Sequence, residues 1–95
     1  MINSKQRSYL KGIANTLEAK INVGKNSLTE NVVKQIDQIL EANEIVKIKV
    51  LNNNLDDQDQ MIEELIQALD AEFVSHLGSK ITLYRQSKKK IIQLP

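Results

Sequence analysis

The chain has 95 residues, the size of one domain, with no cysteine, 41% apolar residues and a net charge of +1. This composition supports a hydrophobic core and excludes a disulfide framework, a thiolate metal site and a cysteine nucleophile. No window approaches the ~18 uninterrupted apolar residues of a membrane span, and the polar opening is unlike a secretory signal, so a cytoplasmic protein is expected.

Asn3 or Ser4 is positioned to cap a first helix running to about Leu17, with Tyr9, Leu10, Ile13 and Leu17 on one arc. Ser4, Arg7 and Lys11 share another arc, which gives the helix a basic stripe opposite its packed side; Tyr9 is assigned to the packed side. Gly12 falls inside this helix and weakens it by about 1 kcal/mol relative to alanine. A short strand over residues 20–23 leads to a turn at residues 24–27. Ser27-x-x-Glu30 then reads as a capping box, with the Ser27 hydroxyl available to the Glu30 N–H. The helix it opens carries Val32, Val33, Ile36, Ile39 and Leu40 on one side and stops near Asn43.

Residues 45–51 alternate as a strand, with Val46, Ile48 and Val50 on one face and Lys47 and Lys49 on the other. Outward lysines suit an RNA-facing sheet edge and plain solubility equally well. After the polar break Asn52-Asn53-Asn54, Asp56 or Asp57 caps a third helix built on Met61, Ile62, Leu65, Ile66 and Leu69. Residues 73–77 and 81–85 are short runs separated by Gly78-Ser79-Lys80, a hairpin pattern in which Tyr84 packs. The order is α-β-α-β-α-β-β. It implies an α/β chain of the α+β two-layer type, with parallel and antiparallel pairs in a mixed four-stranded sheet. Residues 1–87 are read as one domain and 88–95 as a basic C-terminal tail, in which Lys88-Lys89-Lys90 resembles a flexible run and Ile91-Ile92-Gln93-Leu94-Pro95 either packs or does not.

Charge is segregated along the chain: residues 1–25 carry +4, residues 52–72 carry −7 and residues 73–95 carry +5. A molecule with a basic and an acidic side follows, and the local field decides what docks. The most informative stretch is Gly24-Lys25-Asn26-Ser27, a turn between strand and helix. Backbone N–H groups of such a turn, with those of the helix start, form a concave anion site to which Lys25 adds charge.

The opening Ser4-Lys5-Gln6-Arg7-Ser8-Tyr9-Leu10-Lys11-Gly12-Ile13-Ala14, the segment Val23-Gly24-Lys25-Asn26-Ser27-Leu28-Thr29-Glu30, the strand Ile45-Val46-Lys47-Ile48-Lys49-Val50 and the ending Leu83-Tyr84-Arg85 together resemble the CRM domain (chloroplast RNA splicing and ribosome maturation). The form it resembles is the stand-alone bacterial one, the YhbY-like proteins, over nearly the whole chain. The resemblance implies a non-enzymatic RNA-binding fold similar to the C-terminal domain of translation initiation factor three. It also implies association with precursors of the large ribosomal subunit. One departure stands out. The family's turn is usually Gly-x-x-Gly, and Ser27 here either crowds a phosphate or donates a hydroxyl hydrogen bond to it.

The expected function is therefore binding of ribosomal RNA during large-subunit assembly. Gly24, Lys25, Asn26 and Ser27 hold phosphates, Arg7 and Lys11 extend the contact along the first helix, and Lys47, Lys49 and Arg85 extend it over the sheet. With aromatic residues at 3%, base-stacking platforms are poorly supplied, and recognition leans on backbone and shape. His76 is the only histidine and has no cysteine to share a metal with. Asn52, Asn54, Asp56 and Glu63 mimic calcium-loop spacing, but Asp57 stands where that loop needs glycine. No nucleophile–base–orienter set is present, so no catalysis, cofactor, metal or small-molecule substrate is expected, nor any membrane association, and the protein is taken as a monomer. A rival of another class is a protein-interaction adaptor whose acidic third helix meets basic ribosomal proteins or assembly factors.

Overall fold

The computed structural model describes residues 2–95 except Asn26, Ser27, Asn53, Leu55 and Asp56. Its elements are α1 (Ser4–Ala14), β1 (Ile21–Val23), α2 (Glu30–Asn43), β2 (Ile45–Val50), α3 (Gln58–Leu69), β3 (Glu72–Leu77) and β4 (Lys80–Tyr84). The strands form one sheet in the order β1-β2-β4-β3, with β1 parallel to β2 and the other pairs antiparallel. This is the expected element order and the expected mixed sheet.

Alternation along β2 divides the core. Val46, Ile48 and Val50 point to one face, where Ile36 and Leu40 of α2 and Met61, Ile62, Leu65 and Leu69 of α3 bury against them. Ile45 points to the other face and joins Ile2, Leu10, Ala14, Val74 and Tyr84 beneath α1. Helices therefore cover both faces, α1 on one and α2 with α3 on the other. The reason is that β2 is apolar at consecutive positions, Ile45 and Val46, and must be covered on both sides.

Local chemistry sets the boundaries. Asn3 and Gln6 form a reciprocal capping box at the start of α1. The cap of α2 is Thr29, whose hydroxyl accepts the Val32 N–H at 3.2 Å. The capping box expected from Ser27 is corrected accordingly; Ser27 itself lies outside the described residues. Asp57 caps α3 and accepts the N–H groups of Asp59 and Gln60; the other candidate, Asp56, lies outside the described residues. The hairpin turn is two residues, since Leu77 pairs with Lys80, and Gly78 supplies the left-handed φ of 58°. A bulge between Phe73 and Ser75 lets Val74 bury on the α1 side.

Two placements differ from expectation. Tyr9 is 47% exposed, so the packed side of α1 is carried by Leu10, Ile13 and Ala14 instead. Residues 88–95 are not a loose tail. Lys90 N–H closes a turn onto the Ser87 carbonyl, and Ile92 and Leu94 pack against the α1-side cluster. No helix among the described residues is long and apolar enough to cross a membrane.

Candidate nucleic-acid interface

The Gly24 turn leaves the sheet where β1 and β2 end together, Val23 opposite Val50. Two hydrogen bonds pin this end to the connection that follows β2. Leu51 N–H donates to the Val23 carbonyl at 2.9 Å, and the Asn54 side-chain amide donates to the Gly24 carbonyl at 2.7 Å. Lys25 is exposed. Asn26 and Ser27 lie outside the described residues, so the turn is described through Gly24, Lys25 and the α2 cap at Thr29. Ser79 is at the same end of the sheet, its carbonyl accepting the Val50 N–H at 2.8 Å.

The α1-bearing face of the sheet is only partly covered. Beyond the end of α1, Asn22, Lys49, Lys80 and Leu77 form one cross-strand row, and Lys47, Thr82 and Ser75 form the next. Lys49 and Lys80 are exposed and directly opposite each other, and among the described residues neither makes an ion pair. Lys11 is exposed on α1 near the same region, lining a shallow cleft with Asn15, Ser75 and Leu77. Lys80, Ser75, Thr82 and Leu77 were invisible as a group in the sequence, because only the strand register brings them beside Lys47 and Lys49.

Three of the cations expected at the interface have work inside the fold. Lys47 Nζ donates to the carbonyls of Ala14 and Leu17, at 3.0 and 3.2 Å, and so caps the end of α1. β2 lies between β1 and β4, which also corrects the idea that its lysines border a sheet edge. Arg7 Nε donates to the Phe73 carbonyl at 3.1 Å, tying α1 to the bulged strand β3. Arg85 points to the opposite face. There its guanidinium meets Asp37 at 2.8 Å, Glu41 at 3.4 Å and the Leu69 carbonyl at 2.9 Å, and its side chain is 18% exposed. Alternation along β4 thus turns Arg85 away from Tyr84's side and from the open sheet face.

His76 also faces the α3 side, with Nε2 2.8 Å from Gln58 Oε1 and Nδ1 3.5 Å from Asp59 Oδ1. Among the described residues no group of His, Cys, Asp or Glu is arranged to hold a metal ion.

The CRS1 / YhbY (CRM) domain matches residues 2–85 of this chain. The "Probable RNA-binding protein YqeI" of Bacillus subtilis is 36% identical over 96 residues, with both chains covered in full. The "RNA-binding protein" of Haemophilus influenzae is 33% identical, covering 99% of this chain and 95% of its own. Among solved structures, the hypothetical protein SAV1595 from Staphylococcus aureus superposes with a TM-score of 0.83 at 42% identity, each chain covered in full. Element order, the strand–turn–helix at Gly24 and these matches agree, and the chain belongs to the CRS1/YhbY (CRM) domain family.

Proposed function

We propose that this protein is an RNA-binding accessory factor that docks on ribosomal RNA in precursors of the large subunit and acts by binding, not by catalysis. Relatives of nearly the same length carry RNA-binding in their names. The observation that carries the reading is the open sheet face, where Lys49 and Lys80 stand opposed with no carboxylate partner among the described residues, at the end of the sheet from which the Gly24 turn emerges. Like charges directly across a strand pair cost stability, and a polyanion removes that cost. Gly24, Lys25, Asn26 and Ser27 hold phosphates at the start of α2, with Lys25 adding charge, and Lys11 and Lys49 extend the contact. Arg7, Lys47 and Arg85 hold the platform in shape. Ribosomal RNA is the target that the family resemblance implies, and the protein works as a cytoplasmic monomer.

Lys25→Glu leaves the fold intact, weakens binding to structured ribosomal RNA and lowers the salt slope by about one unit or more. A folded variant that binds as tightly as the parent overturns the turn assignment. Exposed Asp59, Glu63 and Glu64 on α3 give the adaptor reading its one support. Pull-down with and without ribonuclease separates the two, because partners that survive digestion favour the adaptor. Sedimentation of ribosomal particles, probed for this protein, tests the large-subunit target.

A further inference from the structure

We propose that the uncovered cleft between the end of α1 and the β3–β4 hairpin seats one unpaired nucleotide of the bound RNA, its base against Leu77 and the Ser75 hydroxyl, its phosphates on Lys49 and Lys80. This inference rests on the RNA-binding reading and goes beyond it. It assigns the RNA a locally unpaired site where phosphate contacts alone would accept a duplex.

The cleft has a volume of about 420 Å³ and is lined by Asn15, Lys47, Ser75, Leu77, Lys80 and Thr82 among others. That lies within the ~300–1,000 Å³ range of small-ligand sites. A second cleft shares Asn15, Ser75 and Leu77 with it and continues to Lys11, so the two form one groove along β3. Among the described residues no carboxylate lines either part. The occupant is therefore anionic or carries anionic groups.

The wall chemistry narrows the class further. Leu77 is 69% exposed, although it belongs to a paired strand and lies in the same row as two lysines. Ser75, directly opposite the buried Thr82 across β3 and β4, is half-buried and supplies a hydroxyl, and Asn15 supplies an amide at the rim. An apolar wall beside hydroxyl and amide groups suits a ring with apolar faces and polar edges. Lys49 and Lys80 lie one row away, two residues or about 7 Å along the strands, which is where the flanking phosphates of such a ring would fall. A base-paired duplex offers this cleft only sugar and phosphate. Its bases are stacked inward and leave Leu77 without a partner.

The test uses the full chain and two blunt RNA duplexes, one carrying a single-nucleotide bulge and one fully paired, the paired one longer by one base pair so that it carries at least as many phosphates. The parent binds the bulged duplex roughly fivefold more tightly, the worth of one or two net hydrogen bonds. Leu77→Ser, at an exposed position, and Ser75→Ala, at a half-buried one, each erase that preference while binding to the paired duplex persists. Equal binding of the two duplexes by the parent overturns the cleft and leaves RNA binding standing. A preference that survives both variants also overturns it, and failure to bind either RNA overturns the RNA-binding reading as well.

Discussion

The carboxylate of Glu44 accepts both the backbone N–H and the hydroxyl of Ser87, at 2.6 and 2.9 Å, from a residue 43 positions further along the chain. Its other oxygen accepts the Ile92 N–H at 2.5 Å. Glu44 is fully buried and sits just past α2 in the left-handed region, at φ 68°, where glycine is the usual residue. Its carbonyl also accepts the Arg85 N–H. One residue thereby joins the end of α2, the end of β4 and the C-terminal segment, and its side chain offsets the cost of its backbone conformation.

Acid should release this clasp. Burial alone would push the Glu44 carboxyl up, but the N–H groups of Ile92 and Ser87, with the Ser87 hydroxyl and the Ile91 N–H, hold it below its ordinary value of 4.5. The stability it contributes is complete above that value and is lost as pH falls through the lower folded value. Glu44→Gln puts a donor where donors already point and costs about 1–3 kcal/mol. In both cases the Ser87 and Ile92 amides should lose hydrogen-exchange protection before the sheet does. Uniform loss across the sheet would show that the clasp is not a separate unit.

Lys47 is a test of structure against RNA contact. Lys47→Met keeps the aliphatic stem but orphans the Ala14 and Leu17 carbonyls, and should cost about 1–2 kcal/mol in thermal or urea unfolding. A variant as stable as the parent would mean that the ammonium does not cap α1 and is available to an anion.

Arg85→Gln should behave as a stability variant too. It frees Asp37 and Glu41, which are half exposed, and removes the donor from the Leu69 carbonyl, for about 1 kcal/mol. The salt slope of RNA binding should stay that of the parent, because the guanidinium is on the α2 side of the sheet. A slope reduced by about one unit would return Arg85 to the interface.

Gly12 offers a gain. It is exposed within α1, and a methyl group built on it meets nothing within 4 Å. Gly12→Ala should therefore raise stability by about 1 kcal/mol, read as a higher urea midpoint with an unchanged m-value. A loss of stability would point to a contact made by this face that the isolated chain does not display.

Periodicity and punctuation made the elements readable from sequence. Val32–Leu40 and Met61–Leu69 repeat at helical spacing, 45–50 alternates, and Asn3, Asp57 and Gly78 mark ends and a turn, all through interactions within a few residues. The same locality explains the miss at Ser27, since Thr29 offers an equally suitable hydroxyl two residues on. It explains Tyr9 as well, because an arc of apolar residues does not say how much of it the sheet will cover. The candidate turn around Lys25 was legible for the same reason: strand, glycine and helix start are contiguous. What sequence could not supply is which charge meets which partner across the fold. Lys47, Lys49, Lys80 and Arg85 are all cations of strands or strand ends, yet register and alternation send Lys47 to the end of α1 and Arg85 to Asp37 and Glu41. They leave Lys49 facing Lys80 on open ground. Hydrophobic pattern is a property of neighbours in sequence, whereas the field at a surface is summed over residues that only folding brings together.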